Sequence, residues 1–338
     1  MQITKHCIGV ARIGFCAISI AACTEIPTRP ADPLAGRIFS TVSQAELSSS
    51  ELYNRMDNAQ VIYLGETHDN THHHELQKQI IQQLLQRGRR PAIGFEFFSV
   101  EQTPYLMQYV QEGPLPKGSG TGKLRETQLR KQLGWTERPD PSWSAYFSLI
   151  KIARDNQLPV FGADLPKAMR YRLGRVDVNE LTAIERTQLV NTGFEDAAYR
   201  QLMFEKFTRA HCGWNDPVVL QRLYDTWLLR NDAMAHSVAV MVKTRGGEPV
   251  VMILGSGHVQ HDMGVYERVG YLLPDVVQFN LGFKEVARQP MDLGEYIKSS
   301  EIEGTGFLPD HEYFWFTQRL SYDDPCHRFR QKLRRKGQ

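Results

Sequence analysis

Four short apolar runs, each followed at once by an ionisable residue, constrain the fold of this chain more than any other feature. Residues 59–65 (AQVIYLG) lead into Glu66, Thr67, His68 and Asp69, and residues 91–95 (PAIGF) into Glu96. Residues 158–163 (LPVFGA) lead into Asp164, and residues 249–254 (PVVMIL) into Gly255, Ser256, Gly257 and His258. A strand with one wet face alternates polar and apolar residues, whereas an unbroken apolar run is covered on both faces. Helical signals separate the runs. Residues 71–87 place Leu76, Ile80, Leu84 and Leu85 on one face, and Gly88 and Pro91 stop the helix. Residues 142–156 read as a second helix, and residues 196–242 as two or three more, interrupted near Gly213 and Pro217. A fifth strand signal is 275–280 (DVVQFN). The pattern predicts an α/β fold: a mostly parallel central sheet flanked by helices, with a helical subdomain inserted before the fourth strand.

In an open parallel sheet, ligands bind beyond the carboxyl ends of the strands. The residues following the runs therefore form a candidate site of Glu66, His68, Glu96 and His258. Three chemistries suit that set. Carboxylates and imidazoles hold a divalent metal. A Glu–His pair performs acid–base work. The same polar rim anchors a large cofactor with an axial ligand from Tyr or His. The glycines beside His258 would let backbone approach a ligand closely. Asp164, just ahead of Leu165 and Pro166, reads instead as a helix cap. Of the run His72-His73-His74, one member is expected to face the site. Residues 117–124 (KGSGTGKL) lack the first glycine and the final Ser/Thr of a phosphate-binding loop.

The N-terminus reads as an export signal. Lys5 and Arg12 precede a short apolar stretch, and Ile20-Ala21-Ala22-Cys23 forms a lipobox. Residues 1–22 are then a signal peptide, and Cys23 carries the acyl chains that hold the protein to a bilayer. The absence of aspartate after Cys23 favours the outer membrane of the bacterial envelope. Residues 23–36, with Pro27, Pro30 and Pro33, read as a tether, 37–290 as the α/β domain, and 291–338 as an extension with no clear sheet role and a basic end. Residues 112–140 are polar and rich in Gly and Pro and read as a loop or lid. In an exported chain Cys212 and Cys326 either pair or stay free. A net charge of +2 gives no reason to expect a nucleic-acid partner.

Several short motifs occur in a telling order. They are residues 64–69 (LGETHD), 94–96 (GFE), 143–146 (WSAY), 232–235 (DAMA), 255–259 (GSGHV), and Gly264-Val265. The set resembles the ChaN family of haem-binding lipoproteins, within the Tiki/erythromycin-esterase-like superfamily, over residues 36–284. The resemblance implies haem or iron uptake, a homodimer holding haem between subunits, and tyrosine ligation of the iron. Tyr266, near the His258 edge, is the first candidate ligand and Tyr171, after the third strand, the second. The superfamily also holds hydrolases, whose Glu-x-His and later His positions map onto Glu66, His68, Glu96 and His258, with or without a divalent metal. Tyr266 stands where many relatives have proline, and the segments at 112–140 and beyond Pro290 are longer than the family minimum.

Overall fold

The computed structural model describes residues 32–114, 120–302, 304–324, 326 and 327. The expected signal peptide, Cys23 and the basic run from Arg328 lie outside the described residues.

The chain opens with two short strands, β1 (Ile38–Ser40) and β2 (Glu46–Leu47), and helix α1 (Ser49–Met56). Strand β3 (Val61–Glu66) leads to helix α2 (Thr71–Gln86). Strand β4 (Ala92–Ser99) is followed by helices α3 (Thr103–Gln111), α4 (Thr121–Gln132) and α5 (Asp140–Asp155). Strand β5 (Val160–Asp164) precedes α6 (Lys167–Leu173), α7 (Ala183–Thr187), α8 (Ala197–Ala210) and the 28-residue α9 (Pro217–Thr244). Next come β6 (Val250–Gly255), α10 (Val265–Leu272) and β7 (Gln278–Glu285). Helix α11 (Leu293–Tyr296), the hairpin β8 (Ser300–Ile302) and β9 (Thr305–Phe307), and β10 (Tyr313–Thr317) complete the order.

The main sheet runs β2-β1-β10-β7-β3-β6-β4-β5. From β10 to β5 every pairing is parallel, and β1 and β2 close one edge antiparallel. The strand period of two divides β3 between two cores. Ile62 and Leu64 join Ile80 of α2 and Leu149 of α5 on one face, while Val61 and Tyr63 join Met234 and Val238 of α9 and Val269 of α10 on the other. Both faces are covered, as the apolar runs require. Asn70 caps α2 by accepting from the amides of His72 and His73, and Gly88 takes a left-handed φ of +79° just past its end. Helices α6 to α9 lie between β5 and β6 in the chain order. Helix α9 lies directly on the sheet, and α8 packs on α9 through Tyr199, Leu202, Met203 and Tyr224.

Four features depart from expectation. The sheet continues past Pro290, because the aromatic run Tyr313–Thr317 pairs with β7. The fifth strand starts only at Gln278; Val277 is still half exposed. Residues 112–140 hold the three-turn helix α4, and its following loop buries Leu133 and Trp135. The expected tether is already docked at its end: Leu34 is buried among Phe39, Val286 and Phe314. Cys212 and Cys326 are disulfide-bonded, with Cα atoms 5.5 Å apart, and join the α8–α9 turn to the segment after β10.

Candidate functional site

The carboxyl ends of β3, β4, β5 and β6 bring the expected side chains together. Glu66 ends β3 with its side chain wholly buried. It accepts hydrogen bonds from Tyr146 of α5, Gln77 Nε2 of α2 at 2.6 Å, and His68 Nδ1 at 3.2 Å. His74 Nε2 approaches it at 3.4 Å, so one member of the His72–His74 run does face the site. Burial raises the pKa of Glu66, but hydrogen bonds from His68 and His74 outweigh it and hold the carboxyl below its ordinary range. His73 points elsewhere, to the Thr67 amide and Thr317.

Glu96 lies where β4 shifts register against β5, between Phe95 and Ser99. Its Oε2 accepts from the Gly255 amide at 2.6 Å, and its Oε1 from Arg230 at 2.7 Å and His258 Nε2 at 3.2 Å. Burial opposes its charge, yet His258 and Arg230 hold its pKa well below the usual carboxylate value. Arg230 also grips Asp164, which Arg170 meets at 2.9 Å. Asp164 is therefore an anchor for two arginines and not the cap of α6, whose N-cap position is Pro166. His258 is buried, stacks on Trp227 at 3.8 Å, and pairs with the Asn231 amide. Burial lowers its pKa, and the Glu96 carboxylate beside it opposes that shift.

Gly255 is small for a reason different from the one the sequence suggests. A Cβ there would stand 2.7 Å from His68 Cε1 and 3.3 Å from Glu96 Oε2. The missing side chain lets His68 lie across the strand end beside Glu96. His68 keeps half its side chain exposed. Burial lowers its pKa, but the Glu66 hydrogen bond and the charge of Glu96 raise it further. With Nδ1 held by Glu66, His68 is placed to exchange a proton at Nε2.

The same geometry fits a divalent ion poorly. The carboxylate lone pairs already receive donors, and among the described residues no group of three His, Cys, Asp or Glu side chains could hold a metal.

A cleft of about 300 Å³ opens beside this cluster. Phe97 forms its inner wall, stacked on Tyr146 at 4.3 Å and edge-on to His68 at 4.8 Å. Trp135 and Tyr171 complete the aromatic lining, and Arg138, Lys167 and Arg170 bring positive charge. Tyr171 is 62% exposed. Tyr266 sits on α10 instead, half-buried against Tyr63 at 5.7 Å, and burial pushes its phenol up to about 12.

Sequence reasoning missed Arg230, Trp227, Tyr146 and Trp135. For Arg230 a signal exists: it shares a helical stripe with Met234 and Val238, and a cation on an apolar stripe needs a buried acid. Tyr146 closes the 143–146 motif but was given no role, and Trp135 carries no such signal, since aromatic side chains in these positions ordinarily pack a core.

The family model for haem-binding uptake, Tiki superfamily, ChaN, matches residues 52–269. A solved structure described as cofacial haem binding to ChaN of Campylobacter jejuni superposes with a TM-score of 0.58 at 16% identity, covering 82% of this chain and 95% of that one. A mutant of the erythromycin esterase EreC in its open conformation gives a TM-score of 0.48 at 11% identity, covering 85% and 99%. No curated protein matches the chain. The Campylobacter likeness shows the α/β fold, and the family match runs from α1 into α10 across four of the eight strands of the main sheet and the whole Glu–His cluster: the chain belongs to the haem-binding uptake family of the Tiki superfamily, ChaN.

Proposed function

We propose that this chain binds haem for uptake, in the cleft walled by Phe97, with Tyr171 as the iron ligand. The observation that carries this reading is an exposed phenol at the mouth of an aromatic cleft that also holds three cations. A haem bound there would supply a ferric iron, which a phenolate oxygen suits as a ligand. Phe97 and Trp135 would give the macrocycle apolar faces, and Arg138 and Lys167 would pair with propionates, with Arg170 beside them on Asp164. Glu66, Glu96 and His258 fix the strand ends, and His68 holds a proton at the inner wall. Tyr266 suits the role less well, because its phenol is half-buried against Tyr63 and resists ionisation. The relative from Campylobacter jejuni binds haem cofacially. An open cleft leaves one haem face uncovered, and a second copy of this chain is the natural cover.

Haemin titrated into the purified chain should give a shifted Soret band and a mass doubled in sedimentation. Tyr171→Phe should weaken binding at least roughly tenfold, the scale of losing one charge-assisted contact, while Tyr266→Phe should match the parent. A Tyr171→Phe spectrum identical to the parent overturns the ligand assignment.

The lipobox supports a further part of the same reading, that the chain works at the bacterial envelope, at the outer membrane, anchored by acylated Cys23. Cells fed labelled palmitate should label the parent and not Cys23→Ser. Equal labelling of the two removes Cys23 as the anchor.

A further inference from the structure

A second cleft, of about 520 Å³, opens on the same sheet edge, beyond the ends of β7 and β10. It is lined by Lys206 and Arg209 of α8, Gln260 from the turn after β6, Lys284 at the end of β7, Lys298 and Arg319. Two of these cations already have acids: Lys284 meets Asp310 at 2.8 Å and Arg319 meets Glu285 at 3.0 Å. Lys206, Arg209 and Lys298 have no carboxylate within ion-pair distance among the described residues, and the remaining acid of the lining is Glu295. The cleft therefore carries an excess of positive charge that the protein does not neutralise itself.

Lys206 is built into place. Its ammonium donates to Gln260 Oε1 at 2.6 Å and meets His261 Nε2 at 2.8 Å. His261 Nδ1 donates to the Leu308 carbonyl at 2.6 Å, so its Nε2 is an acceptor and the lysine is the donor. Two of the three ammonium protons are used and the third is left for a ligand. His261 and Asp262 hold this arrangement at φ values of +63° and +56°. Two successive non-glycine residues in the left-handed region are uncommon and cluster at functional sites.

We propose that this cleft binds the phosphate group of a phosphate ester, through Lys206, Arg209 and Lys298. A monocarboxylate would neutralise one of the three cations. A phosphate dianion offers three acceptor oxygens and suits the fork of Arg209 and the point charges of the two lysines. The assignment is independent of haem. Burial also pushes the Lys206 amine down to about 8, so a share of it is neutral near that pH.

That property supplies the test. Pyridoxal phosphate condenses through its aldehyde with a neutral lysine, forming an imine and releasing water, and borohydride then reduces the imine to a stable amine. The purified chain, treated this way near pH 8 and mapped by mass spectrometry, should be labelled at Lys206, whose neutral fraction takes the aldehyde while Arg209 and Lys298 keep the phosphate. Labelling should exceed that by pyridoxal, which lacks the phosphate, by roughly tenfold, and pyrophosphate should protect. The surface double variant R209A/K298A should lose that preference. Vesicles of phosphatidylglycerol should protect as well if the ester is a lipid headgroup, and should leave labelling unchanged if it is soluble. Equal labelling by pyridoxal, or labelling that pyrophosphate does not reduce, overturns the proposal.

Discussion

At the scale of single residues, the site is a set of buried charges that hold one another ionised. A buried carboxylate is unfavourable unless it is paired and hydrogen-bonded, and Glu96 meets both conditions through Arg230, His258 and the Gly255 amide. Its folded pKa lies well below the ordinary carboxylate value. A depressed folded pKa stabilises above the unfolded value, about 4.3, and that stability is lost as pH falls through the folded value. Glu96→Gln keeps the side-chain shape and removes the charge. It should cost about 3 kcal/mol at pH 7, and the difference from the parent should shrink as pH falls below about 4. Urea melts of both proteins at several pH values measure this. A cost that is the same at pH 7 and in acid means Glu96 is not the ionised partner described here. His68 behaves in the opposite sense: its raised pKa stabilises at low pH and that share is lost as pH rises through the folded value.

At the scale of elements, what the sequence shows depends on how each element is buried. Strands β3, β4, β5 and β6 are readable because both faces are covered, and a run such as VIYLG has no other good reading. Their ends are readable too, since an acid or imidazole directly after such a run lands on the carboxyl edge. Strand β10 is as buried as these, but its run YFWFT follows a hairpin and no βαβ unit announces it. Its place beside β7 is a long-range pairing that local periodicity does not encode. Helix α4 is hard to read for a different reason. It sits between Gly- and Pro-rich flanks and buries only Leu129 of its own residues. The loop after it nevertheless supplies Trp135 and Arg138 to the cleft walled by Phe97, so part of the candidate site comes from the segment with the weakest pattern. The set Glu66, His68, Glu96 and His258 was legible. The difference in exposure between Tyr171 and Tyr266 was not, because exposure is a property of the packed fold.

At the scale of the whole molecule, one sheet edge carries two clefts of different chemistry. The cleft proposed for haem lies at β4 and β5, and that proposed for a phosphate at β7 and β10, with β3 and β6 between them. Neighbouring strands are about 4.8 Å apart, so the three steps from β4 to β7 amount to roughly 14 Å. Perturbations more than about 10 Å apart with no shared partner add within ~0.5 kcal/mol. The turn after β6 links the two, since it carries both His258 and His261. His258 is clamped by Trp227, Asn231 and Glu96, and His261 by Leu308, so the turn has little freedom to relay a change. Tyr171→Phe should therefore weaken haemin binding and leave pyridoxal phosphate labelling of Lys206 as in the parent, and R209A/K298A should do the reverse. The triple variant should show both losses, each within about twofold of its separate value. A haemin affinity that shifts tenfold when the phosphate cleft is disarmed would mean instead that the edge is one extended site, with the turn after β6 as its coupling element.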